Sequence, residues 1–311
     1  MANRSQIKKA ARRYPLLFLV ALIIAALAVG GMHLYGNVFG GGASGSTTTS
    51  SSSASGTVGE AIEIHFIDVG QGDGALIKTP FGNVIVDSGP KDQSESFINY
   101  LKAEGVSSIK YAIFTHPHED HMGSAQFVLD EFEIENVIMN DRVSTSKFFE
   151  NALDVIEKKD INTICAKAGD VYYVGDLKMT ILSPRSEKYK NDDINNSSII
   201  LYVEYGGRSF IFTGDAEKEA EYEVVNAYGA NAIVCDVLKI GHHGSSSSST
   251  DAFLACVSPA YAVISVGADN SYGHPSKEVI SRLESRNIIY YTTENEGSIV
   301  FVTDGKDLTK K

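Results

Sequence analysis

Cysteine is scarce in this chain of 311 residues, with three in total and no Cys-x-x-Cys pair among them. That scarcity excludes a cysteine-rich zinc finger and a small fold stabilised by disulfide bonds, because both depend on regularly spaced cysteines. Cys235 falls in a predicted strand and Cys256 on a predicted helix, so we expect buried thiols there. The sequence leaves the disulfide state of all three, including Cys165, open.

Positive charge is scarce outside the first 13 residues. Five cations precede residue 14 and the first acid is Glu60; removing those five charges from the net charge of −12 leaves −17 for the rest. Proteins that track the phosphates of a nucleic acid usually present a basic surface, so a general polyanion binder is excluded. A nucleic-acid substrate would have to be held mainly by metal and by local contacts.

Polar residues are missing from positions 16 to 29, and the apolar character continues to about residue 32. Residues 14–32 are therefore predicted to form an uncleaved transmembrane anchor, which their length favours, or a secretory signal peptide with a small-residue cleavage pattern at 26–28. Positive residues stay on the cytoplasmic side, so residues 1–13 are predicted to be a basic cytoplasmic segment. The rest of the chain is expected outside the cytoplasm, held by a single span in the cell membrane or secreted after cleavage.

Residues 40–59 are almost entirely Gly, Ser, Thr and Ala, which predicts a flexible linker over 33–59. From 60 to 311 the chain is predicted to form one folded domain. Strands are predicted at 61–69, 75–79, 83–87, 111–114, 136–139, near 171, 178–182, 198–205, 208–213, 232–240, 261–266, 288–291 and 298–303. Helices are predicted at 94–103, from 123, at 147–158, 217–228 and 276–285. This order indicates two sheets with helices on their outer faces.

Six of the eight histidines fall in loops at the ends of predicted strands. Residues 115–124 read THPHEDHMGS, which places His116, His118, Asp120 and His121 within six residues, directly after a predicted buried strand. Imidazole nitrogens and carboxylate oxygens are the ligands that bind divalent transition metals in proteins. The density of these side chains therefore predicts a metal site in preference to a solvated loop.

Four further motifs stand at predicted strand ends, where ligand crevices form in layered α/β architectures. DVGQGDG at 68–74 is a glycine-rich turn, and FTGDAE at 212–217 ends a strand with Asp215. Taken alone, the first is also typical of a tight turn and the second of a helix N-cap. LKIGHHGSSSS at 238–248 contains adjacent histidines, which are uncommon, and SYGHPS at 271–276 places His274 after another strand.

In this order the motifs HxHxDH, TGD and GHHGS resemble those of the metallo-β-lactamase superfamily. DVGQGD, NxxS, LKxGHHGS and YGHP together resemble, over nearly all of residues 62–303, the extracytoplasmic hydrolase domain of ComEC-type competence proteins and their stand-alone relatives. The resemblance implies an α/β fold, a four-layered αββα sandwich with a two-metal site along one edge. The apolar run over 14–32 places one hydrophobic helix before it. It assigns ligands residue by residue: His116 and His118 to the first ion, Asp120 and His121 to the second, Asp215 to both, and His242 or His243 to the second.

This chain departs from the superfamily pattern in one place, because residues 122–214 contain no histidine. The superfamily usually places a third histidine for the first metal there. The ComEC-type pattern has an NxxS segment instead, here occupied by Asn195 and Ser198. We therefore expect two divalent ions, Zn²⁺ or Mn²⁺, of which the first is held more weakly, with water, substrate or the Asn195 amide completing its coordination.

The resemblance implies a hydrolase in which two metal ions activate water near neutral pH. Asp120 would orient that water, and His274, or the non-ligand member of the 242–243 pair, would protonate the leaving oxygen. Substrate contacts are predicted for four polar side chains: Asp73, Asn195, Ser198 and Ser245.

The predicted function is an extracytoplasmic phosphodiesterase or nuclease acting on DNA or a related phosphodiester. The alternatives are a hydrolase of cell-surface phosphoesters such as phosphorylcholine esters and a non-catalytic metal-binding domain. The predicted contact with the membrane is made by the N-terminal helix. The sequence leaves protein partners and oligomeric state open.

Overall fold

The computed structural model describes residues 59–185, 193–229 and 232–311. Three predicted segments lie outside the described residues: the cytoplasmic segment over 1–13, the hydrophobic helix over 14–32 and all but the last residue of the linker over 33–59. Within the three described ranges, no helix combines the length and the apolar character that crossing a membrane requires.

The described residues form strands that divide between two mixed sheets. In chain order the strands are β1 (Ile62–Phe66), β2 (Gly74–Thr79), β3 (Gly82–Ser88), β4 (Ser108–Phe114), β5 (Glu133–Met139), β6 (Asn162–Cys165), β7 (Val171–Val174), β8 (Leu177–Ser183), β9 (Ile200–Tyr205), β10 (Arg208–Phe212), β11 (Val237–Lys239), β12 (Tyr261–Ile264), β13 (Ile289–Thr292), β14 (Ile299–Thr303) and β15 (Leu308–Lys310). One sheet has the order β15-β14-β1-β2-β3-β4-β5-β6, and the other β13-β12-β11-β10-β9-β8-β7.

Helices lie between the strands along the chain. They are α1 (Ser94–Ala103), α2 (Glu119–Met122), α3 (Ala125–Glu131), α4 (Lys147–Lys159), α5 (Lys218–Tyr228), α6 (Asp251–Val257), α7 (Lys277–Ser285) and α8 (Thr293–Glu296), with single 3₁₀ turns at Lys91–Gln93, Asn195–Ser197 and Gly241–Gly244. The sheet pairings are parallel from β3 to β6 and from β10 to β13, where helices connect successive strands. Parallel strands need such crossovers, which place helices on a sheet face.

Apolar side chains fill the space between the two sheets. Phe66 of β1 stacks on Phe212 of β10, with ring centroids 5.4 Å apart, within one buried cluster that draws on both sheets. A second cluster packs α5, α6 and α7 against the outer face of the second sheet. On the other side, α3 contacts β3 and buries Val128 and Leu129. The described residues thus confirm the prediction of two sheets with helices outside them.

The central strands are apolar toward their carboxyl ends, where both of their faces are covered. In β4, Ile109, Ala112, Ile113 and Phe114 are all fully buried. Burial of each large apolar side chain contributes roughly 1.5–3 kcal/mol to folding. This strand therefore gives the histidine loop that follows it a rigid base.

The structure corrects several predicted boundaries. The predicted strand over 232–240 is only Val237–Lys239, so Cys235 precedes the strand although it is buried. A helical turn, α2, lies inside the predicted histidine loop. Sequence patterns missed β6 and β15, because short edge strands lack a long alternating pattern. All three cysteines are free thiols, and Cys165 is half-buried.

Candidate metal centre

The candidate ligands meet at one edge of the two sheets. His116 and His118 follow β4, Asp120 and His121 lie on α2, Asp215 follows β10, and the 242–243 pair follows β11. Their approach requires glycine at position 214, where φ is +51° and an added Cβ would lie 2.7 Å from Thr115 Oγ1. Only glycine takes this conformation at such a close contact without strain.

Four side chains form the first group, which we call cluster B: Asp120, His121, Asp215 and His243. His121 Nε2 lies 3.1 Å from Asp215 Oδ1, and His243 Nε2 lies 3.1 Å from Asp120 Oδ2 and 3.5 Å from Asp215 Oδ1. Ligand atoms around a tetrahedral transition ion lie roughly 3.3–3.6 Å apart, given bond lengths of about 2.0–2.2 Å. The spacing in cluster B therefore suits one such ion.

Cluster A consists of His116, His118 and Asp215. His116 Nε2 lies 3.0 Å from His118 Nδ1 and 3.7 Å from Asp215 Oδ2. Asp215 thus directs Oδ2 toward cluster A and Oδ1 toward cluster B. A carboxylate placed in this way can bridge two ions.

Unsatisfied buried atoms support the fit of metal to these clusters. Among the described residues, His121 Nε2 and Asp215 Oδ1 are buried and, although they lie 3.1 Å apart, neither makes a hydrogen bond of acceptable geometry. A buried polar atom without a partner costs about 1–3 kcal/mol, more when it is charged. A divalent ion bound by these atoms would remove that cost, and the nitrogen and oxygen donors are those that zinc and manganese accept.

The electrostatics of the centre favour a cation. Burial raises the pKa of Asp215, but the charges of His121 and His243 outweigh burial and hold that pKa well below its usual value. Burial lowers the pKa of His243, but Asp215 and a hydrogen bond with Asp120 raise it to about 9. The carboxylates therefore stay ionised and draw positive charge to the centre.

The histidine ligands are held from behind by groups that the sequence did not reveal as functional. Asp87 accepts hydrogen bonds from His121 Nδ1 at 2.8 Å and from the Thr115 backbone and hydroxyl. His243 Nδ1 donates to the carbonyl of Ser265 at 2.9 Å. Each contact directs Nε2 of the ring toward the centre, as in characterised metal sites. The signal available in the sequence was an acid at the end of the predicted apolar strand 83–87, and in the structure Asp87 has a positive φ of 58°.

Two predicted substrate contacts lie behind the ligands. Ser198 is fully buried, and its Oγ lies 3.2 Å from His116 Nδ1 and accepts from the backbone of Asp215. Asp73 is 5% exposed and pairs with Lys239. The geometry favours supporting roles for both, and substrate binding by either stays a prediction.

The other predicted contact residues lie nearer the rim. Asn195 donates its amide to Glu217 Oε1 at 3.3 Å, and Ser245 is half-buried beside Ser247. His274 packs edge-on against His242, with ring centroids 5.8 Å apart, and stacks on Tyr272. Burial lowers the pKa of His274, as do the neighbouring histidines. The structure thus brings His274 next to the centre without placing it in either cluster.

The family comparison agrees with the fold and the site. The model of the metallo-beta-lactamase superfamily matches residues 67–268. The chain therefore belongs to the metallo-β-lactamase superfamily, as its motifs predicted. Members of this superfamily are generally metal-dependent hydrolases, and this chain has two His/Asp clusters that could each hold an ion.

Its relatives are competence proteins of the ComEC type. ComE operon protein 3 of Bacillus subtilis is 32% identical over 257 residues, which cover 77% of this chain and 33% of that protein. Competence protein ComA of Neisseria gonorrhoeae is 31% identical over 237 residues, which cover 75% of this chain and 31% of that protein. The chain thus spans about a third of the length of these curated relatives.

Solved structures show the same fold. The metallo-beta-lactamase fold protein YhfI from Bacillus subtilis superposes with a TM-score of 0.51 at 13% identity, covering 78% of this chain and 100% of that one. CmlA, a diiron beta-hydroxylase from Streptomyces venezuelae, superposes with a TM-score of 0.50 at 13% identity, covering 74% of this chain and 52% of that one. Likenesses at this identity concern the fold alone.

Proposed function

We propose that the chain is a two-metal phosphodiesterase that cleaves DNA or a related phosphodiester. The observation that supports this most directly is Asp215, whose two oxygens face two separate ligand clusters. Pairs of ions held in this way suit in-line displacement at a phosphoryl group. When bound, the ions would supply Lewis acidity and a lowered pKa for water.

Side chains of this chain would orient the water and protonate the leaving group. Asp120 is the partly exposed member of cluster B, with 32% of its side chain accessible, so its carboxylate can accept a hydrogen bond from an incoming water. Burial raises the pKa of Asp120, but His121 and His243 outweigh it and keep the carboxylate ionised. His274, beside the centre, would donate a proton to the leaving oxygen. Because its pKa is lowered, the protonated form that serves this role increases as the pH falls.

One exposed aromatic ring favours a substrate that carries a base. Tyr272 is 71% exposed and stacks on His274, with centroids 5.7 Å apart and planes 24° from parallel. A nucleobase could continue that stack, and stacking on an aromatic side chain contributes about 1–3 kcal/mol per base. Such a local contact suits an acidic protein that cannot track a long phosphate backbone.

A choline headgroup is the competing substrate, because Tyr272 could also bind a quaternary ammonium by a cation–π contact. An activity assay distinguishes these two substrate classes. The purified chain is incubated with single-stranded DNA, double-stranded DNA, bis-p-nitrophenyl phosphate and p-nitrophenyl phosphorylcholine, each with Mn²⁺ or Zn²⁺. We expect metal-dependent cleavage of single-stranded DNA and bis-p-nitrophenyl phosphate, and none after chelation. Turnover of the choline ester alone would replace the proposal with the phosphorylcholine esterase, and no turnover by the metal-loaded chain would indicate a binding domain.

The proposed location is the outer side of the cell membrane, held by one span over residues 14–32. The support is the order of five cations and an apolar run in the sequence. A reporter fused to the C-terminus should be active only outside the cytoplasm, and the chain should leave the membrane fraction when residues 1–32 are deleted. Full-length protein in the cytosol would contradict the anchor.

A further inference from the structure

Cluster A has one protein ligand fewer than cluster B among the described residues. It contains two imidazoles and the shared carboxylate, whereas cluster B contains two imidazoles and two carboxylates. The superfamily pattern leads one to look for the absent ligand before Asp215, where the sequence has no histidine. In the structure, a candidate for this ligand comes from a residue that follows Asp215 in the sequence.

That side chain is His242. Its Nε2 lies 3.7 Å from Asp215 Oδ2, the same oxygen that lies 3.7 Å from His116 Nε2. The adjacent His243 faces the other oxygen, Oδ1, at 3.5 Å. The two neighbouring histidines therefore lie on opposite sides of Asp215, one toward each cluster.

The backbone of the GHHG turn produces this division. His242 and His243 both have left-handed conformations, with φ of 49° and 52°. A residue other than glycine in this region costs about 1–3 kcal/mol, and such strain concentrates at functional sites. Two consecutive strained histidines send successive rings in different directions, with centroids 6.2 Å apart.

Glu217 fixes the orientation of the His242 ring. Its Oε1 lies 3.1 Å from His242 Nδ1 and also accepts hydrogen bonds from Ser247 Oγ at 3.1 Å and from Asn195 Nδ2 at 3.3 Å. A proton held on Nδ1 by this carboxylate leaves the lone pair of Nε2 facing Asp215. Metal-binding histidines are commonly oriented by a carboxylate in this way.

We propose that His242 is the third imidazole of cluster A and that Glu217 is its positioning residue. The proposal rests on the two-metal site of the proposed function but not on any substrate. With His242, the first ion would have four protein ligands, as many as the second. The ligand atoms that lie within 4.8 Å of one another in cluster A are those of His116, His118 and Asp215, so the His242 ring would close on them when the ion binds. The purified chain should hold two ions of comparable affinity, in place of the one tight and one weak ion that the sequence pattern predicted.

The test measures metal content and affinity without substrate. Full-length wild type, His242→Ala, Glu217→Gln and His274→Ala are loaded with Zn²⁺ or Mn²⁺, dialysed, and analysed for metal per chain, and affinities are measured by competition with a chromogenic chelator. Wild type and His274→Ala, the matched control from the neighbouring histidine, should retain two ions. His242→Ala should retain one, and Glu217→Gln should weaken one site by about 10 to 100-fold.

Two outcomes would overturn the assignment. One is a His242→Ala variant that keeps two ions with wild-type affinities. The other is loss of one ion in Asn195→Ala but not in His242→Ala, which would assign the fourth ligand to the Asn195 amide, whose Oδ1 is buried without a partner among the described residues. Circular dichroism confirms folding of each variant. A wild type that binds two ions but cleaves no phosphodiester would refute the proposed function and leave this assignment standing.

Discussion

Lys239 and Asp73 form an ion pair directly behind the metal centre, with 3% and 8% of their side chains exposed. Asp73 Oδ1 also lies 3.4 Å from His243 Nδ1, on the side of the ring that faces away from Asp120. Burial raises the pKa of Asp73, but Lys239 and His243 outweigh burial and lower it. Lys239 therefore neutralises the ionised carboxylate of Asp73 beneath a centre that is already rich in carboxylates.

Replacing Lys239 by Met should destabilise the fold by about 3–5 kcal/mol, because the buried carboxylate of Asp73 loses its ammonium partner and keeps only the more distant histidines. Urea unfolding of the metal-free chain measures the effect. The double variant with Asp73→Asn should recover part of the loss, since the uncompensated charge is then absent. A Lys239→Met variant within 0.5 kcal/mol of wild type, a typical surface effect, would contradict a stabilising role for the pair.

Asp120→Ala and Asp215→Ala should each reduce metal-dependent hydrolysis by more than about 100-fold. Mutation of residues that only support metal ligands already lowers metal affinity or activity by about 10 to 100-fold. Asp215→Ala should also lose metal from both sites, because its oxygens face both clusters. Metal analysis and initial rates with bis-p-nitrophenyl phosphate test both statements. Near-normal turnover with a full metal complement in either variant would contradict the two-ion site.

His274→Ala should slow the cleavage of DNA by about 10²–10⁴-fold, the usual contribution of a general acid. Its effect on bis-p-nitrophenyl phosphate should be much smaller, because p-nitrophenolate leaves without protonation. The ratio of the two rates in wild type and variant is the measurement. Equal losses on both substrates would assign His274 a role other than proton donation.

Tyr272→Ala should raise KM for single-stranded DNA by about 5 to 150-fold, which corresponds to about 1–3 kcal/mol of lost base stacking. Tyr272→Phe keeps the ring and serves as the matched control, with KM close to wild type. Because the side chain is exposed, neither change should alter the unfolding midpoint. An alanine variant with unchanged KM would exclude Tyr272 from substrate binding.

Glu221 should make stability depend on pH between about 4.5 and 7. The side chain is fully buried and accepts hydrogen bonds from the backbone of Ser249 and Thr250, and burial raises its pKa from 4.5 to about 7. The folded state then holds a proton that the unfolded state releases, so this contribution is fully present below pH 4.5 and is lost as pH rises through 7.

Comparison of wild type with Glu221→Gln isolates this effect. Glutamine stays neutral, so the difference in unfolding free energy should change by up to about 1.4 kcal/mol per pH unit within that window. Parallel curves for the two proteins between pH 4.5 and 7 would mean that Glu221 is already ionised in the fold.

The sequence predicted the parts of the fold and site that depend on local patterns. The apolar run before His116 marks a buried strand, and histidines at strand ends mark the ligand edge. The supporting contacts join residues that are far apart in the sequence, such as Asp73 with Lys239 and Asp87 with His121, and no local pattern encodes them. The separate directions of His242 and His243 depend on left-handed backbone conformations that side chains other than glycine rarely adopt.

With His242 bound to the first ion, as proposed, the GHHG turn joins the two metal clusters by a single peptide bond. An ion that binds His242 fixes one half of this turn and so restricts the other half, which carries His243. The second ion then meets a turn whose conformational entropy has already been reduced. Metal loading should consequently be cooperative: at half saturation, chains with two ions or none should outnumber chains with one.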